Sequence, residues 1–152
     1  MPADTPAIGD TANEIIGTVT DPTEQVSLLL RWLQINIRHA PVDAFSALDV
    51  LAQREAECQG HAYLYAALAR ALGIPTRVVN GLAYAESAQG FLYHSWAESY
   101  LDGGWRAIDP TFGQPAADAT HLKLVEGESI AELIPLTEWM GKVQIRVLDQ
   151  AP

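Results

Sequence analysis

Cys58, His94 and Asp109 are residue types that together could perform nucleophilic chemistry. A thiolate is a strong nucleophile, but a free thiol, with a pKa of about 8.5, is only a few per cent ionised at neutral pH. A neutral histidine can take the thiol proton, and a carboxylate on its second ring nitrogen fixes the tautomer and stabilises the cation. The chain therefore contains a candidate nucleophile, base and orienting acid, in that order.

The segment that begins at Cys58 predicts a long, buried helix. It reads CQGHAYLYAALARAL, and Gly73 and Pro75 follow it as helix stop signals. A helix that is apolar nearly all round must be covered on most sides, so we expect it at the centre of the domain. The unpaired N–H groups of its first turn would favour a thiolate and could stabilise an oxyanion. From position alone, a buried structural thiol is the alternative.

A predicted β-hairpin brings the histidine and the aspartate together. Two stretches rich in β-branched and aromatic residues flank Asp102-Gly103, a strong signal for a two-residue turn. With that turn, Trp96 lies opposite Asp109, and His94 and Asp109 are diagonal neighbours about 7–8 Å apart at their α-carbons. A slip of one residue would move Asp109 to the other face. We therefore predict that these three side chains share the face that packs against the start of the cysteine helix.

The remaining patterns predict helices in the first half of the chain and strands in the second. Helices are expected over 22–38, 46–54, 58–72 and around 129–140, and strands over 76–84, 91–101, 104–108, 121–125 and 143–147. In the second helix Leu48, Val50 and Leu51 are expected to face inward. Helices first and an antiparallel sheet second indicate an α+β fold. A length of 152 residues fits a single domain, residues 1–152.

Composition limits the function classes. The formal net charge is −10, which repels phosphate backbones, so nucleic-acid binding is not expected. One cysteine excludes an intramolecular disulfide. No apolar run reaches the roughly 18 residues of a membrane span, and the first residues lack a signal-peptide pattern. We expect a soluble protein that is cytoplasmic or a domain of a longer exported chain, and the oligomeric state stays open.

The chain resembles the core of the transglutaminase-like superfamily in three stretches, which read CQGHAYLYAALARALGIPTRVVNGLAY, YHSWAESYLDGGW and AIDPTF. That family shows a cysteine opening a helix, a His-x-Trp-x-Glu strand, and a Trp strand closing in Asp-Pro-Thr. The resemblance runs over about residues 47–112. It implies a papain-like α+β fold, with the cysteine helix packed on an antiparallel sheet. It also implies Cys58, His94 and Asp109 as the catalytic residues, with no cofactor or metal.

The resemblance and the residues predict acyl transfer through a thioester. Cys58 would attack an amide carbonyl, His94 would protonate the leaving amine, and the acyl group would pass to water or to another amine. For a small member of bacterial type we expect hydrolysis of a peptide or amide substrate rather than protein cross-linking. The alternative is a non-catalytic module that binds peptides in the groove. A zinc site using Cys58 and His61 is a third reading, but no finger-like spacing supports it.

Other residues have more than one reading. Gln53 could reach an oxyanion or be solvated, and Trp96 could line the cleft or pack in the core. Glu57, where relatives often have a small pair before the cysteine, would oppose a thiolate if its charge points inward. Glu98 is expected to be a structural hydrogen-bond acceptor. We expect three tryptophans in the core, Trp32, Trp105 and Trp139. Two histidines are expected on the surface, His39 and His121.

Overall fold

In the described residues, helices precede all four strands of an antiparallel sheet and one further helix follows it, so the predicted α+β fold is confirmed. The computed structural model describes residues 5–43, 46–139 and 141–146. The elements are α1 (Pro6–Ile16), α2 (Pro22–Asn36), β1 (Arg38–His39), α3 (Ala47–Gln53), β2 (Glu55–Ala56), α4 (Cys58–Ala71), β3 (Thr76–Ala85), a 3₁₀ turn (Glu86–Ala88), β4 (Gly90–Leu101), β5 (Gly104–Ile108), β6 (His121–Glu126) and α5 (Ile130–Trp139).

Local capping signals set the ends of the predicted helices. The Asp21 carboxylate accepts a hydrogen bond from the backbone N–H of Glu24 at 2.8 Å, and this caps α2. Ser46 Oγ accepts from the backbone N–H of Asp49 at 3.2 Å and caps α3 in the same way. Gly73, with a φ of +79°, follows the end of α4, where only a residue without a side chain adopts that backbone easily. The bounds of these three helices agree with the prediction to within two residues.

Helix α4 lies at the centre of the fold, as its apolar sequence predicts. Every residue from Gly60 to Ala69 is buried. Helices α1, α2 and α3 pack on it from one side, and strands β3 and β4 from the other. The sequence patterns do not predict α1, whose Ile8 and Ala12 are fully buried in this core. Among the described helices, none combines the length and apolar character that a bilayer-spanning segment requires.

The sheet has the strand order β5-β4-β3-β6, with all neighbours antiparallel. Leu101 pairs with Gly104, and both turn residues between them have positive φ, +50° at Asp102 and +82° at Gly103. This is the two-residue turn that the sequence predicts. The β4–β5 ladder ends at the pair Ala97 and Ile108, one residue before Asp109.

The prediction of a last strand over 143–147 is wrong for the residues that can be described. Residues 141–146 form no strand, Val143 and Ile145 are exposed, and Val147 lies outside the described residues. Alternating apolar residues predict a half-buried strand only where a partner strand is available, and the sheet ends at β6 on one side and β5 on the other. The predicted helix before this segment is present as α5 and continues through Pro135.

Three predicted core positions are exposed instead. Leu48 lies on the outer face of α3, with 38% of its surface exposed. Trp105 lies on the edge strand β5, where its ring packs under the Arg77 guanidinium at 4.1 Å. Trp139 is the last residue of α5 and is exposed beside an apolar depression. Tryptophan has a large apolar ring, but an edge strand or a helix end buries only one side of it.

Gly81 is the position in the sheet with the least room for a side chain. Strand β3 changes register against β6 between Asn80 and Gly81, and a Cβ on Gly81 would lie 2.1 Å from the Leu122 carbonyl oxygen and 2.9 Å from the Trp96 ring. We predict that Gly81→Ala lowers the free energy of unfolding by about 2–3 kcal/mol, because the strands must move apart.

Denaturant unfolding checks this prediction against Gly104→Ala, the matched control in the same sheet. A Cβ on Gly104 would meet nothing within 4 Å. The control should change the free energy of unfolding by less than about 0.5–1 kcal/mol. Equal stability of the two variants would contradict the packing described for Gly81.

Candidate active site

His94 and Asp109 form a buried hydrogen-bonded pair. His94 Nε2 donates to Asp109 Oδ2 at 2.6 Å, and the aspartate is 0% exposed. Asp109 follows β5 directly, and its Oδ1 accepts hydrogen bonds from the backbone N–H groups of Thr111 at 2.8 Å and Phe112 at 3.0 Å. The Asp-Pro-Thr sequence thus forms a turn that holds one carboxylate oxygen and leaves the other for the imidazole. The two residues meet as the hairpin register predicts.

Cys58 opens onto the same cleft as His94. It is the first residue of α4 and is half-buried, in a cleft of about 270 Å³. Cys58 and His94 line this cleft together, and the sulfur is among the groups that raise the pKa of the His94 imidazole. Because Nε2 of that ring is engaged by Asp109, Nδ1 is the ring nitrogen that remains available. The side chains that line the cleft are His39, Pro41, Glu57, Cys58, Tyr93, His94, Thr111 and Phe112.

The electrostatics of the pair favour a charged imidazole. Burial by itself lowers the pKa of His94, but hydrogen bonds to Asp109 and Cys58, and their charges, outweigh it and raise the pKa to about 9. Burial likewise tends to raise the pKa of Asp109, but the hydrogen bond and the charge of His94 reverse this, and the pKa lies below its ordinary value. Both pKa shifts favour an imidazolium beside an ionised carboxylate.

The prediction that His121 is a surface histidine is wrong. Its side chain is 4% exposed, and Nε2 donates to Asp109 Oδ2 at 2.7 Å, the same oxygen that His94 uses. His121 is the first residue of β6, which the sheet places next to β3. The sequence predicts a strand at 121–125, but no local pattern shows which edge of the sheet it joins. The strand order is therefore what brings a second imidazole to Asp109.

Two aromatic rings enclose the His94 imidazole. Phe112 stacks on it at 4.9 Å between ring centroids with an interplanar angle of 15°, and Trp96 lies at 6.1 Å with 21°. Trp96 is 1% exposed, so of its two readings the structure supports core packing. Phe112 is exposed on its other side and forms part of the cleft wall. The histidine ring thus has little freedom to turn away from Asp109.

The other residues singled out by sequence take structural or peripheral positions. Glu98 accepts hydrogen bonds from Arg77 Nε and Lys123 Nζ, each at 2.7 Å, as expected of a structural acceptor. Gln53 is exposed at the end of α3, outside the set of side chains that line the cleft. Glu57 is also exposed and makes no capping bond to α4. His39 is exposed, as expected, but it borders the cleft.

The zinc reading through Cys58 and His61 finds no support in the geometry. His61 is buried, its Nδ1 bonds the Glu57 carbonyl at 2.9 Å, and burial lowers its pKa. In the described part of the chain, the one group of side chains spaced for a metal ion is His94, Asp109 and His121, whose ligand atoms lie within 4.8 Å of one another. Their 2.6 and 2.7 Å separations are hydrogen-bond distances, so an ion would have to displace both shared protons.

Similar proteins include peptidases and proteins of unassigned role. The chain is 30% identical over 86 residues to kyphoscoliosis peptidase of Mus musculus, covering 53% of this chain and 13% of that one. It is 30% identical over 101 residues to an uncharacterized protein of Mycobacterium leprae, covering 60% of this chain and 36% of that protein. The chain thus spans well under half the length of these relatives.

Solved structures share the fold. A candidate cysteine protease from Cytophaga hutchinsonii superposes with a TM-score of 0.71 and 25% identity, over 83% of this chain and 43% of that one. The periplasmic domain of TgpA from Pseudomonas aeruginosa gives a TM-score of 0.58 and 25% identity, over 74% of this chain and 45% of that one. The family model of the transglutaminase-like superfamily matches residues 9–110, which span the helical layer, the cleft and the hairpin. The chain belongs to the transglutaminase-like superfamily.

Proposed function

We propose that this protein catalyses cysteine-dependent acyl transfer on peptide or amide substrates. Cys58 acts as the nucleophile, His94 as the general base and acid, and Asp109 as the carboxylate that orients His94. The observation that carries the proposal is the 2.6 Å hydrogen bond between His94 and Asp109, at a cleft that His94 and Cys58 line together. A buried carboxylate placed there serves an imidazole that must hold a positive charge.

The first half of the reaction forms a thioester. The Cys58 thiolate attacks the carbonyl carbon of the amide, and the carbonyl electrons move onto oxygen. The tetrahedral intermediate collapses as the C–N bond breaks, and His94 Nδ1 gives its proton to the leaving amine. The first backbone N–H groups of a helix lack partners within the helix, so the first turn of α4 is the candidate donor set for the oxyanion.

The second half transfers the acyl group. A water molecule gives a proton to His94 and attacks the thioester, and collapse releases a carboxylic acid and the Cys58 thiolate. We favour water over an amine as the acceptor because the cleft opens to solvent and is bordered by the exposed, polar His39 and Glu57. Two of the similar proteins described above also bear the names of hydrolytic enzymes, a peptidase and a candidate cysteine protease.

A peptide-sized substrate is supported by the surface next to the cleft. Tyr84, Leu92 and Phe112 are exposed there and line a depression with the His94 ring. Apolar side chains of a peptide could be buried against them while the scissile amide reaches Cys58. The same surface favours the second candidate function, a non-catalytic module that binds peptides without turning them over.

We expect Cys58→Ala to abolish product formation from a peptide library, with a loss of more than about a thousandfold, because no other thiol is present. Mass spectrometry of the library before and after incubation is the measurement. Cleaved or deamidated peptides would identify hydrolysis, and cross-linked peptides would identify transamidation. Peptides that bind the wild type and the alanine variant equally, with no product from either, would point to the binding module.

The pH profile of kcat/KM should fall on its alkaline side near pH 9, because there His94 loses the proton that the leaving amine needs. Asp109→Asn should move this alkaline limb to lower pH, since a neutral amide no longer stabilises the imidazolium while burial still opposes it. Asp102→Asn, an exposed aspartate at the hairpin turn, is the matched control and should leave the limb in place. An alkaline limb that stays put in the Asp109 variant would refute the assigned role.

A further inference from the structure

We propose that His121 is a positioning residue of the active site, which holds the Asp109 carboxylate against His94 through a second imidazole N–H. The proposal rests on the function proposed above and adds a fourth residue to it. The side chain of His121 is only 4% exposed, and His121 is not one of the three catalytic residues predicted from the sequence.

The hydrogen bonds of Asp109 leave its carboxylate no freedom. Oδ2 accepts from both His94 Nε2 at 2.6 Å and His121 Nε2 at 2.7 Å, and Oδ1 accepts from two backbone N–H groups. The residue is 0% exposed, so water supplies none of these bonds. Without His121 the carboxylate would lose one of the two donors on the oxygen that faces His94. The histidine thus restrains the group that orients the catalytic base.

Both ring nitrogens of His121 face oxygen atoms. Nε2 faces Asp109, and Nδ1 lies 3.2 Å from both the carbonyl oxygen and the carboxylate Oδ1 of Asp118. The ring is thus held at both ends, and its Nε2 lies against the Asp109 oxygen that His94 also uses.

The fold supplies the space for this second imidazole. Strand β3 separates β4 from β6, and its residues opposite the two histidines are small: Gly81 pairs with His94, and Ala83 pairs with His121. Across this gap the two imidazole centroids are 5.6 Å apart. The ring of Trp96 meets His121 edge-on at 5.2 Å and closes the gap from the other side. Among the residues that the structure describes, the charged and titratable groups in hydrogen-bond or ring contact with His121 are His94, Asp109 and Asp118.

The proposal predicts a shift in the pH at which His94 loses its proton, and a purely structural role of His121 would not produce this shift. Removing the second donor leaves Asp109 Oδ2 to accept from His94 alone, so His94 should hold its proton to higher pH than in the wild type. The alkaline limb of kcat/KM would thus move to higher pH, whereas Asp109→Asn is expected to move it to lower pH. At the same time kcat should fall, because the carboxylate is less firmly held, while KM should change little, since His121 does not line the cleft.

The test compares His121→Phe, which keeps a ring, with His121→Gln, which keeps a neutral donor for Asp109. We expect kcat to fall roughly tenfold to a hundredfold in the phenylalanine variant and to recover to within about threefold in the glutamine variant. The alkaline limb of kcat/KM should move to higher pH in the phenylalanine variant and stay near its wild-type position in the glutamine variant. If kcat of His121→Phe stays within about twofold of the wild type and its alkaline limb does not move, the proposal is overturned.

A second readout does not depend on turnover. NMR of the His94 ring as a function of pH, in the wild type and in His121→Phe, measures the proton affinity of His94 directly. A shift to higher pH in a protein without activity would support the positioning role and reject the proposed reaction. No shift in an active enzyme would reject the role alone. Should His121→Phe fail to fold, Asp118→Asn, at an exposed carboxylate, is expected to shift the limb in the same direction by a smaller amount.

Elemental analysis of the purified protein addresses the remaining reading of this cluster. One equivalent of zinc per chain, absent from His121→Phe, would overturn the proposal, because the imidazoles would then be ligands rather than hydrogen-bond donors.

Discussion

The arrangement of the active site depends on which hydrogen-bond donors stabilise the buried charge of the Asp109 carboxylate. An unpaired carboxylate costs several kcal/mol to bury, so it must find donors wherever the fold places it. Here the donors come from three places: the Thr111 and Phe112 amides of its own turn, His94 on β4, and His121 on β6. One carboxylate therefore joins three strands of the sheet, and the orientation of the His94 ring is a consequence of satisfying it.

The second requirement is that the helical layer and the sheet meet in a fixed relation. The sulfur belongs to α4 and the imidazole to β4, so a small shift of one layer would separate them. Apolar packing supplies most of the attraction, but it has little directional preference. A buried polar contact between the two layers is directional: Tyr65 Oη on α4 lies 2.9 Å from Ser99 Oγ on β4. The Ser99 oxygen also lies 2.8 Å from Thr76 Oγ1 on the paired strand β3. The Tyr65 contact thus ties the helix to one position on the sheet.

Much of this arrangement can be predicted from local sequence. The apolar run after Cys58 indicates the central helix, and Asp102-Gly103 sets the register that brings His94 and Asp109 together. Both signals act over a few residues, where backbone geometry leaves few choices. The catalytic roles of the three residues remain predictions, since geometry shows their proximity and not their reaction.

Features that depend on contacts between distant segments cannot be predicted from local sequence. His121 stands 12 residues after Asp109, behind a polar loop, and only the placement of β6 beside β3 brings the two together. The predicted last strand fails for a related reason, because alternation at Val143 and Ile145 does not provide a neighbouring strand. Trp105 and Trp139 show that ring size alone does not predict burial at an edge strand or a helix end.

The proposed reaction requires Cys58 and His94 to act as a pair. An NMR titration of the His94 ring in the wild type and in Cys58→Ala tests this most directly. We expect the ring to keep both protons to about pH 9 in the wild type. In the alanine variant the titration of His94 should move to lower pH, because the sulfur that stabilises the charged ring is gone. A His94 ring that titrates at the same pH in both proteins would show that the two residues do not act together.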